Sequence, residues 1–235
     1  VGEPFGRLVC QGMLNSPTPF CSKCNVDYHI DFFDCNCPTC GELLGQRSAK
    51  MSKSLGNTIS PGQMVDIYGA DTVRLFILFG ANPEAGMDWS DSVLEANHRQ
   101  LKSIIEALSS ALLMPKSSSK MDNWIIAKLR KNQEKWKKVM SDVSLREGVM
   151  LSHFTMLSDW NWYRRRGGNN YEIAIEFLKT WLPMLSPITP HLAEEFWYRM
   201  GQEGYLAKFE LPENVIPNND NIILSYETLL RNVID

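Results

Sequence analysis

The sequence predicts a mainly α-helical protein in which a small metal-stapled lobe leads into a helical bundle. Three observations carry this expectation. Residues 1 to about 60 are rich in Gly, Pro, Ser and Cys. Five of the six cysteines fall between Cys21 and Cys40. From Ser60 onward apolar residues recur at helical spacing, as in Leu94, Leu101, Ile105 and Leu108.

The elements follow in order. Short extended stretches are expected at Gln11–Leu14 and Glu42–Gln46, flanking the cysteines. Ser60-Pro61-Gly62-Gln63 has an N-cap serine, proline at the first helical position and Gln at the third, as in a capping box. That helix should end near Tyr68, with Gly69 as its stop. Asp71–Phe79 reads as a short apolar helix. Ser92-Val93-Leu94-Glu95 repeats the capping-box pattern and opens a long helix that ends by Pro115. Pro115–Lys120 is polar and reads as a loop. Asp122–Met140 places Trp124, Ile125, Lys128, Leu129 and Trp136 around one side of a helix. Ser144–Arg166 forms the next, closed by Gly167-Gly168. Tyr171–Leu185 is expected to be broken by Pro183 and Pro187. Pro190–Met200 is a last amphipathic helix, and Gly201–Asp235 a loop-rich tail with a short helix from Tyr226. Antiparallel helices with short links pack as a bundle.

A length of 235 residues allows one or two domains with a real core. The longest apolar run, Val73–Ala81, is half of the roughly 18 residues that a bilayer span needs. The chain opens on Val1 without a basic-then-apolar leader, and reads as a piece of something longer. A net charge of -3 favours no partner class, but the charge is uneven. Lys128, Arg130, Lys131, Lys135, Lys137 and Lys138 crowd one stretch, and Arg164, Arg165 and Arg166 another. Such clusters are either a solvated helix exterior or contacts to nucleic-acid phosphates, for which Arg is better suited than Lys.

Cys21-Ser22-Lys23-Cys24 and Cys37-Pro38-Thr39-Cys40 are two C-x2-C pairs separated by twelve residues. Two such turns facing each other supply four tetrahedral thiolates, the set that zinc prefers. Gly41 relieves backbone crowding after the second pair. His29 and Cys35 lie inside the loop and could replace one ligand, but Cys37 and Cys40 form the better knuckle, which leaves Cys35 a bystander. The zinc role is structural, because so small and polar a stretch needs metal to fold. Clustered cysteines without a secretion signal also point to a reducing compartment, the cytosol.

Lys50-Met51-Ser52-Lys53-Ser54-Leu55-Gly56-Asn57 is the most informative octet. Two lysines three apart among serines and a glycine make a mobile cationic loop able to close over a triphosphate. It can neutralise charge that develops as pyrophosphate leaves. It is not a Walker loop, since G-x-x-x-x-G-K-[ST] is absent.

The octet resembles the KMSKS signature of class I aminoacyl-tRNA synthetases letter for letter. The flanks resemble the leucyl members: Gln11-Gly12-Met13 ahead of the loop and Asn82-Pro83-Glu84-Ala85-Gly86-Met87-Asp88-Trp89-Ser90 after it, while Tyr68-Gly69-Ala70-Asp71-Thr72-Val73-Arg74-Leu75-Phe76 between them resembles a stretch shared across the Leu/Ile/Val group. Ile188-Thr189-Pro190-His191-Leu192-Ala193-Glu194-Glu195-Phe196-Trp197 resembles a stretch of the anticodon-binding domain in the Leu/Ile/Val group. Asp159-Trp160-Asn161-Trp162-Tyr163-Arg164-Arg165-Arg166-Gly167 leans toward the archaeal type.

The resemblance implies a ligase of translation that joins leucine to tRNA(Leu) with ATP and Mg2+. It implies that Lys50 and Lys53 contact the phosphates, Lys53 most directly, with Met51, Ser52 and Ser54 completing the ATP loop. It also implies a division of the chain. Residues 1–60 are the remnant of an α/β catalytic domain, with the knuckle insert at about 15–47 and the loop at 50–54. Residues 61–115 are stem-contact helices, and 116–235 an anticodon-binding bundle and tail. None of His29, His98, His153 and His191 lies in an H-x-G-H motif, so this piece alone should not form the adenylate. Arg164, Arg165 and Arg166 are expected at tRNA; Trp124, Trp136, Trp160 and Trp162 are expected in the core; His191 and Glu194 are expected to serve capping and packing. The rival readings are a non-catalytic zinc-containing RNA-binding paralogue, another Ile/Val/Met-type synthetase, and a purely structural bundle.

Overall fold

The computed structural model describes residues 2, 6, 8–10, 12–211 and 220–227. β1 (Leu14–Cys21), β2 (Val26–Asp27), β3 (Gly45–Lys50) and the distant β4 (Met87–Asp88) form one small sheet centred on β1. β3 runs antiparallel to β1 from Asn15↔Lys50 to Phe20↔Gly45. β2 pairs antiparallel at Phe20 and Cys21, and β4 pairs parallel at Leu14 and Asn15. The strands therefore lie C-terminal to the expected stretches Gln11–Leu14 and Glu42–Gln46, and Gln11 falls outside the described residues. The physical reason is that β1 buries Ser16, Thr18 and Cys21 rather than an alternating apolar set. Ladder hydrogen bonds hold it, and period-2 hydrophobicity does not mark it.

Between residues 61 and 199 eight α-helices follow: α1 (Pro61–Tyr68), α2 (Ala70–Gly80), α3 (Asp91–Leu112), α4 (Asp122–Ser141), α5 (Leu145–Val149), α6 (Met156–Arg165), α7 (Tyr171–Leu185) and α8 (Pro190–Arg199). The π-helical turn Met150–Thr155 joins α5 to α6 without a break. The single rod expected over Ser144–Arg166 is thus present, with one widened turn. Pro183 does not break α7. Trp181, Leu182, Met184 and Leu185 around it are fully buried, and that packing outweighs one missing backbone hydrogen bond.

Two caps differ from expectation. Ser60 precedes α1, yet its side chain makes no cap bond; Pro61 opens the helix through its preset φ. The N-cap of α3 is Ser90, not Ser92: Ser90 Oγ accepts the Val93 N–H at 3.4 Å, while the Ser92 hydroxyl pairs with that of Ser90. In the tail, residues 220–227 are helical, so the helix is under way before Tyr226; residues from 228 on lie outside the described residues.

The main core joins α2 to α8. Its centre is aromatic: Trp160, Phe177 and Trp181 follow one another at centroid distances of 5.0 and 5.4 Å. Trp124, Trp136 and Trp160 are buried, as expected, and Trp162 is half-buried. The second, much smaller core consists of Cys21, Cys37 and Leu44, flanked by Cys24, Tyr28 and Cys40. A lobe whose interior is mostly thiol cannot fold on apolar burial.

Candidate functional site

The lysine–serine loop leaves the sheet at Lys50, the last residue of β3. Met51 N–H donates back to the Leu14 carbonyl at 3.3 Å, so the ladder fixes the loop's first stem. Its second stem is fixed by Asn57, which is buried. Asn57 Oδ1 accepts the Ser52 N–H at 2.8 Å, and its amide nitrogen faces the carbonyls of Ser16, Ala49 and Lys50. Within the loop, Ser52 Oγ accepts the Leu55 N–H and pairs with Ser54 Oγ at 2.9 Å. Gly56 takes a positive φ of 69°.

This scaffold leaves Lys50 and Lys53 exposed, and no ion pair among the described residues uses either. Met51 and Ser52 are half-buried and Ser54 is exposed. Two exposed lysines thus sit on one short loop whose stems are held by backbone and side-chain hydrogen bonds. Asn57 is the residue that sequence reasoning left without a role; a buried amide at a loop stem has no periodic signature.

The four thiolate candidates converge. The Sγ atoms of Cys21, Cys24, Cys37 and Cys40 all lie within 4.8 Å of one another. Cys21–Cys40 and Cys24–Cys37 are 3.4 and 3.9 Å apart. A tetrahedral centre with metal–sulfur bonds of about 2.3 Å places sulfurs about 3.8 Å apart, so the residues fit such an ion. Cys35 is exposed and outside the cluster, a bystander as expected, and His29 also stays out. Tyr28 Oη sits 3.2 Å from Cys37 Sγ. That hydrogen bond holds the Cys37 thiol down at about 6, whereas the Cys24 thiol, hydrogen-bonded first to Cys40, is pushed up to about 12. Four thiols sharing one small space divide into acidic and reluctant members; a divalent cation removes that conflict.

The expected basic face is largely consumed inside the fold. Lys128 pairs with Asp159 and Glu227, Arg130 with Asp220 and Lys135 with Glu147, and Lys137 donates to the Leu211 carbonyl. Lys131 and Lys138 stay exposed. Opposite charges on neighbouring elements, invisible in a local charge run, account for the difference. Of the three arginines, Arg164 donates to the Gly168 carbonyl and to Asn169 Oδ1, closing the end of α6. Arg166 stacks over Trp162 at 3.0 Å from the ring centroid. Arg165 is exposed and borders a groove shared with Gln100, Ser158 and Asn161. His191 and Glu194 do serve capping and packing: His191 meets Asp71, and Glu194 accepts the N–H groups of Leu206 and Ala207.

Comparison with known proteins places this geometry. The family described as "Anticodon-binding domain of tRNA ligase" matches residues 122–234, and "tRNA synthetases class I (I, L, M and V)" matches residues 40–90. A leucine–tRNA ligase of Thioalkalivibrio sulfidiphilus is 34% identical over 86% of this chain and 22% of its own length. One of Methanocaldococcus jannaschii is 33% identical over 70% of the chain and 18% of its own length. The chain spans about a fifth of the length of these relatives. Bacterial and archaeal relatives stand at similar identities, so they do not decide the archaeal leaning. An Agrobacterium radiobacter K84 LeuRS, solved in a ternary complex with tRNA and LeuAMS, shares the fold with a TM-score of 0.61 at 24% identity, over 72% of this chain and 23% of that one. No helix among the described residues is long and apolar enough to cross a membrane. Family match, relatives and fold coincide, and the chain belongs to the leucyl-tRNA synthetase family of class I aminoacyl-tRNA ligases.

Proposed function

We propose that this chain supplies the ATP-phosphate loop and the tRNA-docking helices of a leucine–tRNA ligase, which activates leucine with ATP and transfers it to tRNA(Leu). The observation that carries the reading is the exposure of Lys50 and Lys53 on a loop whose stems are fixed by β3 and Asn57. Lys53 Nζ neutralises charge on the departing pyrophosphate, and Lys50 Nζ holds the phosphates from the strand side. Met51 packs, while Ser52 and Ser54 keep the loop shape. Mg2+ arriving with ATP adds charge neutralisation.

Residues 1–60 belong to the catalytic domain, 61–115 to stem-contact helices and 116–235 to the anticodon-binding bundle. Arg165 and Arg166, with Arg164 behind them, meet the tRNA backbone. Cys21, Cys24, Cys37 and Cys40 would hold a structural zinc: their four converging thiolates would supply every ligand a tetrahedral ion takes and leave none for a reacting water. The protein works in the cytoplasm.

The test is Lys53→Ala in the full-length protein, read as leucine-dependent ATP–pyrophosphate exchange. The rate should fall by roughly 10²–10³-fold, as for loss of one preorganised donor at developing charge. An unchanged rate rejects the ligase reading in favour of a non-catalytic paralogue.

A further inference from the structure

We propose that the segment between the two cysteine pairs braces the lysine–serine loop, with His29 as a positioning residue; the proposal rests on that loop being the phosphate-handling element. Three consecutive residues make the connection. Tyr28 faces the metal centre: its hydroxyl lies 3.2 Å from Cys37 Sγ, and its carbonyl accepts from Thr18 Oγ1 at 2.9 Å. His29 faces the loop: a Cβ built on Gly56 would overlap its Nε2 and Cε1, so the ring rests against the bare glycine Cα. Ile30 N–H donates to the Leu55 carbonyl at 2.9 Å. Asp31 Oδ2, 3.0 Å from His29 Nδ1, turns the ring so that Nε2 points at the loop.

The loop is therefore held from both sides. Asn57 ties it to β1 and β3, and the insert's turn closes over its Leu55–Gly56 corner. Gly56 is required there twice, by its left-handed φ of 69° and by the imidazole against it. A loop that must move to reach a triphosphate needs a defined starting position, or ordering it again costs binding free energy at each turnover. The brace sits on a lobe whose core is the four-cysteine cluster. Loss of the metal should then loosen residues 52–56, although none of them is a ligand.

The experiment uses the full-length protein and amide hydrogen exchange of the peptide covering 50–57. His29→Ala should keep its metal content and its α4–α8 protection, yet speed exchange in the loop by about tenfold, the worth of one local contact. Chelation should produce the same loosening in the wild type. In ATP–pyrophosphate exchange, the KM for ATP of His29→Ala should rise several-fold with a smaller change in kcat. A cycle gives an independent check: Gly56→Ala should be less damaging to loop protection in the His29→Ala background than in the wild type. Unchanged loop exchange in both His29→Ala and stripped protein overturns the brace, as does strict additivity in the cycle. Faster loop exchange together with a Lys53→Ala rate equal to wild type keeps the brace and removes the nucleotide reading instead.

Discussion

Asp71 on α2 caps α8 from a distance in sequence: its Oδ2 accepts the Leu192 N–H at 2.8 Å, and its Oδ1 lies 2.8 Å from His191 Nδ1. Thr189 holds the N-cap position itself, but its hydroxyl turns inward to Leu185 O and His153 Nε2. A carboxylate is favoured at a helix N-terminus, where unpaired N–H groups carry positive charge. One turn further along α2, Arg74 donates to the carbonyls of Pro187 and Ile188. The two charged residues of Asp71-Thr72-Val73-Arg74 thus lock the α7–α8 corner onto α2. Asp71→Ala should cost about 1–2 kcal/mol in urea unfolding, the range for a lost cap. Arg74→Ala should cost a similar amount. A loss of only a few tenths for Asp71→Ala would mean that Thr189 or water takes over the cap.

Metal removal should act locally. The sheet lobe has a core of Cys21, Cys37 and Leu44, whereas the bundle's core is separate and apolar. Chelation is expected to abolish amide protection over residues 14–50 while leaving the helical circular dichroism nearly intact. Cys37→Ser should lose the metal and Cys35→Ser should keep it, both by elemental analysis. Tyr28→Phe should weaken metal affinity by about ten- to a hundredfold, because an outer hydrogen bond to a ligand sulfur disappears. Collapse of the helical signal on chelation would show that the two cores fold as one.

What was legible in the sequence was what repeats or chelates. Helix spacing located α2 to α8 within a few residues, because a buried face leaves a periodic trace; α1, which buries no residue, was marked by Pro61 and Gly69 instead. The two cysteine pairs identified all four converging thiols, since tight turns fix sulfur positions locally. Contacts set by tertiary structure were not legible. Ser90 displaced Ser92 as a cap once Trp89 packed on Phe76 at 4.8 Å and fixed the chain's entry to α3. Asn57 closed the octet without a role of its own, and His29 stood only as a spare metal ligand, until the fold placed them on opposite sides of one corner. The lysines of α4 read as a cationic face because their partners lie on α6 and in the tail, far along the chain.

Those lysines give a prediction that separates stability from RNA binding. Lys128 Nζ lies 3.5 Å from Asp159 Oδ1 and 3.3 Å from Glu227 Oε2, and both acids are buried. Burial already pushes the Asp159 carboxyl above its ordinary range. Lys128→Met would strand two carboxylates together and should cost about 3 kcal/mol. Lys131→Met and Lys138→Met, at exposed positions, should stay within roughly 0.5 kcal/mol. In tRNA binding, charge reversal at Arg165 and Arg166 should lower the salt slope, and Lys128→Met should not. A stable Lys128→Met with a flattened salt slope would return α4 to the RNA-facing surface.

Acid should weaken the bundle through His153. Its ring is fully buried at the π-helical turn, with Nδ1 2.8 Å from Ser152 Oγ and Nε2 3.1 Å from Thr189 Oγ1. Gln100 Nε2 donates to its backbone carbonyl at 2.5 Å, so backbone and ring are both anchored. Burial pushes the imidazole down from 6.5 to about 3, because no carboxylate compensates the charged form. The native chain therefore keeps this ring neutral while the unfolded chain takes up a proton near 6.5. Stability from this group is complete above that value and is lost as pH falls toward 3. Between pH 7 and pH 5 the contribution lost is about 2 kcal/mol, at about 1.4 kcal/mol per unit. Urea midpoints at the two pH values should show it. His153→Gln, though less stable at pH 7, should lose that portion of the pH dependence. An identical drop in the variant would assign acid sensitivity to other groups.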